Sequence, residues 1–299
     1  MTKVSFQDLL DAGVHFGHLR RKWNPNMAPY IFMERNGIHI IDLYKTEAKL
    51  QEAQKAIKQI AKSGRRILFV ATKKQAKDIV AEAVKKVNMP YVTERWPGGM
   101  LTNFATIRKA VRKMSSIDKM MTTNSYKNLS KRERLHITRE RAKLEKNLGS
   151  IADMSRLPAA LFVVDINKEK IAVAEARKLN IPVFAMVDTN TDPTIVDFPI
   201  PANDDASKSI ALIVNAMTQA IAEGLKERKA AREKQAAEEK QAAEEAERAK
   251  EEAKEVLDIE ETEEEKLIRK KKSEPKIHKL RDKEEEVKPK RPRKTISKK

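Results

Sequence analysis

The sequence places histidine and aspartate residues in a pattern that could bind a metal ion. His15 and His18 lie three positions apart in "VHFGH", and several aspartates fall near the ends of predicted strands, where an α/β sheet gathers its polar groups. One imidazole with two or three carboxylates suits structural zinc or magnesium. The other interpretation, that the aspartates cap turns and helices as in "NDDA", stays open. No metal site is therefore assigned and no cofactor is required, although four residues are candidate ligands: His18, Asp188, Asp204 and Asp205.

A second pattern joins basic side chains to tryptophan and glycine in the segments "HLRRKWNPNM", "TKKQ" and "RWPGGMLTN". Lys and Arg supply affinity for phosphates, and aromatic faces stack on unpaired bases. For each tryptophan a role as an anchor under its loop is an equal alternative, and the glycines are also suited to turning the chain. Together the segments predict nucleic-acid binding by the following residues: Arg20, Arg21, Lys22, Trp23, Lys73, Lys74, Arg95, Trp96, Gly98, Gly99 and Asn103.

The net charge favours a polyanionic partner. The 299 residues carry 62 Lys and Arg against 44 Asp and Glu, a formal charge of +18. Residues 225–299 contribute only +4, because their 25 basic and 21 acidic residues nearly balance. Residues 1–224 carry +14, so the excess lies in the part expected to fold. This distribution indicates a partner that is held by a surface and not only by a tail.

An enzyme is the alternative from another functional class. The segment "RILFVATKKQAKDIV" predicts a strand, a tight turn and a helix, which is where a Rossmann domain binds phosphates. Neither G-x-G-x-x-G nor G-x-x-x-x-G-K-[ST] occurs, so the turn lacks the glycines that bring backbone amides to a pyrophosphate. A nucleotide-dependent α/β enzyme is therefore disfavoured, and no catalytic residue is assigned.

Alternating strand and helix patterns predict the scaffold that positions these residues. From residue 65 onward, apolar runs such as "RRILFVA", "ALFVVD" and "IPVFAMVD" alternate with amphipathic helical segments. Such runs are typical of a parallel sheet covered on both faces. Before them, "YIFMERNGIHIIDL" predicts a hairpin that turns at Asn36-Gly37. The predicted class is α/β, with a mostly parallel sheet and helices on both faces, formed by residues 1–102 and 151–224.

Residues 103–150 interrupt this alternation without a strand signal. Apolar residues follow three-four spacing in two runs, and Ser130 with Glu133 has the pattern of a capping box. These features predict two antiparallel helices, a coiled-coil hairpin inserted into the sheet domain. Residues 95–146 carry 14 basic and 4 acidic side chains. Four basic residues of the first helix are further candidate contacts to nucleic acid: Arg108, Lys109, Arg112 and Lys113.

The composition changes beyond residue 224. Residues 225–299 are rich in Ala, Glu, Lys and Arg and predict a charged tail, a solvated helix followed by a disordered basic end. The chain contains no cysteine, which fits a reducing compartment. No apolar run approaches the roughly 20 residues of a membrane span, and the N-terminal segment predicts no signal peptide. A cytoplasmic protein without a membrane partner is expected.

Several collinear motifs between about residues 3 and 224 resemble the bacterial small ribosomal subunit protein S2 family. They are "VHFGHLRRKWNPNM", "RNGIHIIDL", "ATKKQA", "RWPGGMLTNF", "TRERAKLEKNLG", "LPAALFVVD" and "IPVFAMVDTNTDP". The resemblance implies an α/β sandwich with a protruding coiled-coil hairpin and a structural role on the ribosome. It also implies late assembly, contacts to rRNA between head and body, and help in recruiting the large mRNA-binding ribosomal protein. The basic segments are then the expected rRNA contacts, and the tail resembles no fixed part of the family.

Overall fold

The computed structural model describes residues 4–123, 126, 128–236 and 239–240. The chain divides into two units, Met1–Lys234 and Gln235–Lys299. Nearly all of the second unit lies outside the described residues, and so does the disordered basic end predicted for the tail. The helices and strands of the fold belong to the first unit.

The N-terminal part forms a short helix, a small antiparallel sheet and a long helix. These elements are α1 Phe6–Asp11, β1 Phe16–Leu19, β2 Ile31–Arg35, β3 Ile38–Ile41 and α2 Leu43–Lys62. The strand order is β1-β3-β2. The φ angles of Asn36 and Gly37 are 52° and 74°, as a tight primed turn requires. The predicted hairpin is confirmed, whereas strand β1 on its other side was not expected.

A five-stranded parallel sheet and the helices around it follow. The elements are β4 Ile67–Val70, α3 Lys74–Lys85, β5 Tyr91–Val92, α4 Phe104–Met121, α5 Lys131–Leu148, β6 Ala160–Val164, α6 Lys170–Lys178, β7 Val183–Val187 and β8 Phe198–Pro201. A last helix, α7, is continuous over residues 207–234. The strand order of the sheet is β5-β4-β6-β7-β8. The sheet and its covering helices confirm the predicted α/β class. No helix of the described part of the chain combines the length and the apolar character needed to cross a bilayer.

The parallel sheet buries side chains on both faces, because successive residues of a strand point to opposite sides. Phe69, Phe162 and Phe184 lie side by side on one face, and helices α1, α2, α3 and α7 contribute to the same core. Val70 and Val163 belong to the opposite core, to which α6 and the sheet-proximal parts of α4 and α5 contribute. The continuous apolar runs of the sequence are thus strands covered on both sides.

The segment predicted as an insertion contains the two expected helices, α4 and α5. Helix α5 begins with a capping box, in which the Ser130 hydroxyl accepts from the Glu133 amide while the Glu133 carboxylate accepts from the Ser130 amide. Lys113 of α4 pairs with Glu140 of α5. The capping pattern read from the sequence is confirmed, while the separate-domain assignment of residues 103–150 stays a prediction.

Candidate nucleic-acid interface

The first candidate segment is a basic loop at the end of β1. Its Arg20–Lys22 turn is 3₁₀-helical, with all three side chains exposed. Trp23 is 38% exposed, and its ring centre lies 5.2 Å from that of the buried His39. The Asn24 amide donates to the Thr189 carbonyl at 2.8 Å, which fixes the loop against the end of β7. The loop therefore presents three cations and one aromatic face from an anchored backbone.

The two lysines of the second segment differ in environment. Lys74 is the first residue of α3 and is exposed. Lys73 is 9% exposed, and its ammonium lies 2.8 Å from Asp204 Oδ1 and 2.6 Å from Asp205 Oδ1. Burial acts to lower the pKa of Lys73, but its hydrogen bonds to the two aspartates outweigh burial and hold the pKa above its usual value. Lys73 is thus engaged by aspartates of the protein itself, whereas Lys74 is exposed, and contact of either lysine with nucleic acid stays a prediction.

The four candidate metal ligands lie together beside Lys73. His18 Nδ1 is 3.0 Å from Asp188 Oδ2, and His18 Nε2 is 3.5 Å from Asp205 Oδ2. Ligand atoms of His18, Asp188 and Asp204 lie within 4.8 Å of one another. Asp204 Oδ2 is buried and has no hydrogen-bond partner among the described residues. Burial, followed by the charges of Asp188 and Asp165, raises the pKa of Asp204 to about 7.

Close packing between β1 and the end of β7 holds His18 in this cluster. The His18 amide donates to the Thr189 hydroxyl at 2.8 Å. A Cβ atom at Gly17 would lie 2.6 Å from Thr189 Cγ2 and 2.9 Å from the His39 carbonyl oxygen, so glycine is required there. Thr189 was not predicted as part of the site, because a single hydroxyl after a strand has no distinctive spacing.

The glycine-containing loop wraps around a carboxylate of the protein itself. Glu175 Oε1 accepts from Trp96 Nε1 at 3.2 Å and from the Gly99 amide at 2.8 Å. Glu175 Oε2 accepts from the Leu101 amide at 2.9 Å, the Thr102 amide at 3.0 Å and the Thr102 hydroxyl at 3.1 Å. Gly99 has a φ of +82°, which brings its amide into this ring of donors.

The glycine-containing loop, which is the third candidate segment, has both buried and exposed residues. Trp96 is 7% exposed, so its indole lies under the loop, as in the anchor interpretation, and not on the surface. Arg95, Gly98 and Asn103 are exposed. Burial acts to raise the pKa of Glu175, but the surrounding donors outweigh burial and hold the pKa below its usual value. The carboxylate is therefore ionised at neutral pH, and the loop amides are occupied.

A second carboxylate closes the turn after β4. Glu169, the N-cap residue of α6, accepts from the Thr72 amide at 3.0 Å and also from the Thr72 hydroxyl. Burial raises the pKa of Glu169, although the bonds from Thr72 oppose the shift. In a Rossmann domain this turn would offer its amides to a phosphate. Here the Thr72 amide is used internally, so the geometry gives no support to nucleotide binding.

The remaining candidates line the first half of α4. Lys109 and Arg112 are exposed. The Arg108 guanidinium donates to the Ser155 carbonyl at 2.8 Å, and Lys113 pairs with Glu140. Lys109 and Arg112 thus offer exposed charges on the first half of this helix.

Comparison with known proteins decides the family. Residues 9–224 match the family model of ribosomal protein S2. The chain belongs to this family. It is 71% identical over 230 residues to the small ribosomal subunit protein uS2 of Flavobacterium johnsoniae, covering 77% of this chain and 91% of that protein. The proteins of the same name from Phocaeicola vulgatus and Porphyromonas gingivalis are 70% and 69% identical over 232 residues, covering 78% of this chain and 83% of each relative.

Membership of the S2 family sets the enzyme alternative aside, because S2 proteins are structural. The family match ends at residue 224, where the charged composition of the tail begins. The two α6 carboxylates were missed by the sequence analysis of this S2 protein. The available signal was Glu175 itself, a charged residue that shares an apolar helix face with Ala172 and Ala176.

Proposed function

We propose that the protein is a structural constituent of the small ribosomal subunit that binds small-subunit rRNA and neighbouring ribosomal proteins. The S2-family match supports the ribosomal role. The anchored loop of Arg20–Lys22 and Trp23 carries the rRNA assignment, because it combines exposed cations with an exposed aromatic face. The protein supports subunit assembly and translation in the cytoplasm, without a membrane partner.

The rRNA interface consists of exposed side chains on four elements: the loop after β1, the start of α3, the glycine-containing loop and helix α4. Phosphates are bound by side-chain charge, while Trp23 stacks on an unpaired base or a ribose. Lys73, Trp96 and Gly99 support the interface from within by fixing the loops. The direct contacts are Arg20, Arg21, Lys22, Trp23, Lys74, Arg95, Asn103, Lys109 and Arg112, with Arg108, Lys113 and Gly98 beside them.

A protein partner suits a different surface. On strand β2, Phe32 is 71% exposed and Met33 is 47% exposed. Strand β2 lies at the edge of the small sheet, where its unpaired backbone groups and these large apolar side chains are open to a partner. Family resemblance implies the large mRNA-binding ribosomal protein as one of the neighbours, and this surface is our candidate for that contact.

The proposal divides the chain into a sheet domain, a helical hairpin and a tail. Residues 1–102 and 151–224 form the sheet domain that carries the loops. Residues 103–150 form the helical hairpin, and residues 225–299 form the charged tail. The close association of α4 with α5 through Lys113 and Glu140 supports treating the hairpin as one piece.

A structural metal ion at the His18 cluster is a finer proposal. The buried Asp204 Oδ2, which has no hydrogen-bond partner within the described part of the chain, supports it. The residues fit zinc better than magnesium, because magnesium prefers oxygen ligands and the cluster offers an imidazole. His18, Asp188 and Asp204 would hold the ion. Purified protein should contain about one zinc per chain, and Asp204→Asn should lower that ratio more than Asp192→Asn, a change at an exposed turn. Equal zinc content in both variants would contradict the proposal.

Sedimentation of a cell lysate across a salt series tests the ribosomal role. We expect the protein to co-sediment with small subunits at low salt and to leave them as salt rises, since phosphate contacts release counterions. Migration as a free protein at low salt would overturn the proposal.

A further inference from the structure

We infer that Glu175 is a positioning residue for rRNA binding, acting through the loop that it clamps. The inference rests on the proposed function, since it concerns how the rRNA-facing residues of that loop are presented. Glu175 is 8% exposed and does not face the partner itself. Its five accepted hydrogen bonds all come from residues 96–102.

The clamp occupies a site of the kind that binds anions. Successive backbone N–H groups that converge in a turn form a concavity with a positive potential. The amides of Gly99, Leu101 and Thr102 converge in this way, and the Glu175 carboxylate fills the concavity. Hydrogen bonds to an ionised acceptor are about twice as strong as neutral ones. The loop is therefore held in one conformation before any partner arrives.

Both ends of the clamped loop are candidate contacts to rRNA. Arg95 immediately precedes Trp96, and Asn103 immediately follows Thr102. Asn103 is also the N-cap residue of α4, and its amide donates to the Gly99 carbonyl at 2.8 Å. Glu175 thus determines where the Arg95 side chain starts and where the first hairpin helix begins, without touching the partner.

The substitution Glu175→Gln tests this role sharply. Each carboxylate oxygen accepts at least two N–H or O–H donors, so either orientation of the amide places its NH₂ group against backbone N–H donors. Shape is kept while the clamp is broken. Asp197→Asn is the control, because Asp197 also accepts from a backbone amide, that of Val183 at 2.9 Å, and this bond lies at the start of β7, away from the candidate contacts to rRNA.

The experiment measures binding to small subunits stripped of this protein, per folded molecule, in a series of salt concentrations. Glu175→Gln should weaken binding about tenfold, the equivalent of one lost charged hydrogen bond, and reduce the salt dependence as Arg95 loses its phosphate. Asp197→Asn should bind as the wild type does per folded molecule. Indole N–H hydrogen exchange of Trp96 should become faster in Glu175→Gln only.

The outcomes distinguish the positioning role from the proposed function. Failure of the wild type to bind the stripped subunits would overturn the proposed function. Wild-type binding together with unchanged affinity and salt dependence of folded Glu175→Gln would overturn the positioning role alone. Equal weakening by both variants would also overturn it, because loss would then follow core stability and not the loop.

Discussion

The Lys73 ammonium lies 2.8 Å from Asp204 Oδ1, and both residues are buried just beyond the ends of their strands, β4 and β8. Asp205 and Asp165 also approach this ammonium, at 2.6 Å and 3.5 Å. The Lys73 ammonium therefore neutralises several carboxylates at a buried position, where water screens their charges only weakly. The sequence predicted Lys73 as a surface cation, but in the structure it is a buried counter-ion.

Removal of this counter-charge should be costly. We expect Lys73→Met to lower the free energy of unfolding by about 3–5 kcal/mol, because buried carboxylates lose their partner. Lys74→Met should change it by less than about 0.5 kcal/mol. Urea denaturation measures both. Similar losses in the two variants would contradict the internal role of Lys73.

Stability should also depend on pH through Asp204. Its pKa is raised to about 7, whereas an aspartate in an unfolded chain titrates at ~3.9. Between these values the folded state binds more protons, so the contribution of Asp204 to the free energy of unfolding falls as pH rises. In urea melts of metal-free protein, the difference between wild type and Asp204→Asn should therefore decrease from about pH 4 to about pH 7. A flat or rising difference would show that Asp204 is ionised throughout.

The glycine pair should divide into one essential and one tolerant position. Gly99 has a φ of +82°, and a Cβ there would lie 3.2 Å from Asn103 Cβ, whereas a Cβ at Gly98 would meet no described residue within 4 Å. Gly99→Ala should cost about 1–2 kcal/mol of unfolding free energy, and Gly98→Ala less than about 0.5 kcal/mol. Thermal melts of the two variants provide the comparison. A larger loss for Gly98→Ala would refute the assignment.

The exposed loop cations should act on binding without acting on stability. Arg21→Ala should leave the melting temperature unchanged and reduce the slope of log affinity against log salt by roughly 0.7–0.9, the value for one lost phosphate contact. Lys55→Ala, an exposed lysine on α2, serves as the control. If both variants reduce the slope equally, the effect comes from net charge and not from the loop.

The tail should be dispensable beyond the residues that contact α2. Lys58 lies 2.6 Å from Glu227, and Leu225 packs against the core. Deletion of residues 229–299 should leave the melting temperature unchanged, whereas deletion of residues 225–299 should lower it by a few degrees. Circular dichroism melts test this. If the variant that lacks residues 229–299 is unfolded, the tail is part of the folded unit and the prediction is wrong.

Local signals predicted much of this structure, and long-range pairing accounts for most of what was missed. The Asn36-Gly37 turn and the Ser130 cap follow from the conformational preferences of a few neighbouring residues, so they were readable. Strand β8 was missed, because Pro199 and Pro201 weaken its strand pattern and its position depends on pairing with β7.

The sequence identified the basic segments of the candidate site but not which of their side chains are buried and which are exposed. Segment charge identified the basic loops, but burial of Lys73 and Trp96 depends on partners that are distant in the sequence. Asp204 is 131 positions from Lys73, and Glu175 is 79 positions from Trp96. Such partners follow from the strand order and register, which a single sequence leaves open.

The prolines of β8 also prevent a further strand from pairing with this edge of the parallel sheet. The Ala202 amide donates to the Val187 carbonyl in β7. Because the backbone groups of successive strand residues point alternately to either side, those of residues 199 and 201 point away from β7, toward the open edge of the sheet. Both residues are prolines and have no N–H to donate there. The Thr46 hydroxyl already bonds the Pro201 carbonyl, and the opposite edge strand, β5, is only two residues long. Both margins of the sheet are thus closed to strand addition. The parallel sheet is therefore protected from edge-to-edge aggregation while the newly synthesised, basic protein is not yet bound to a ribosome.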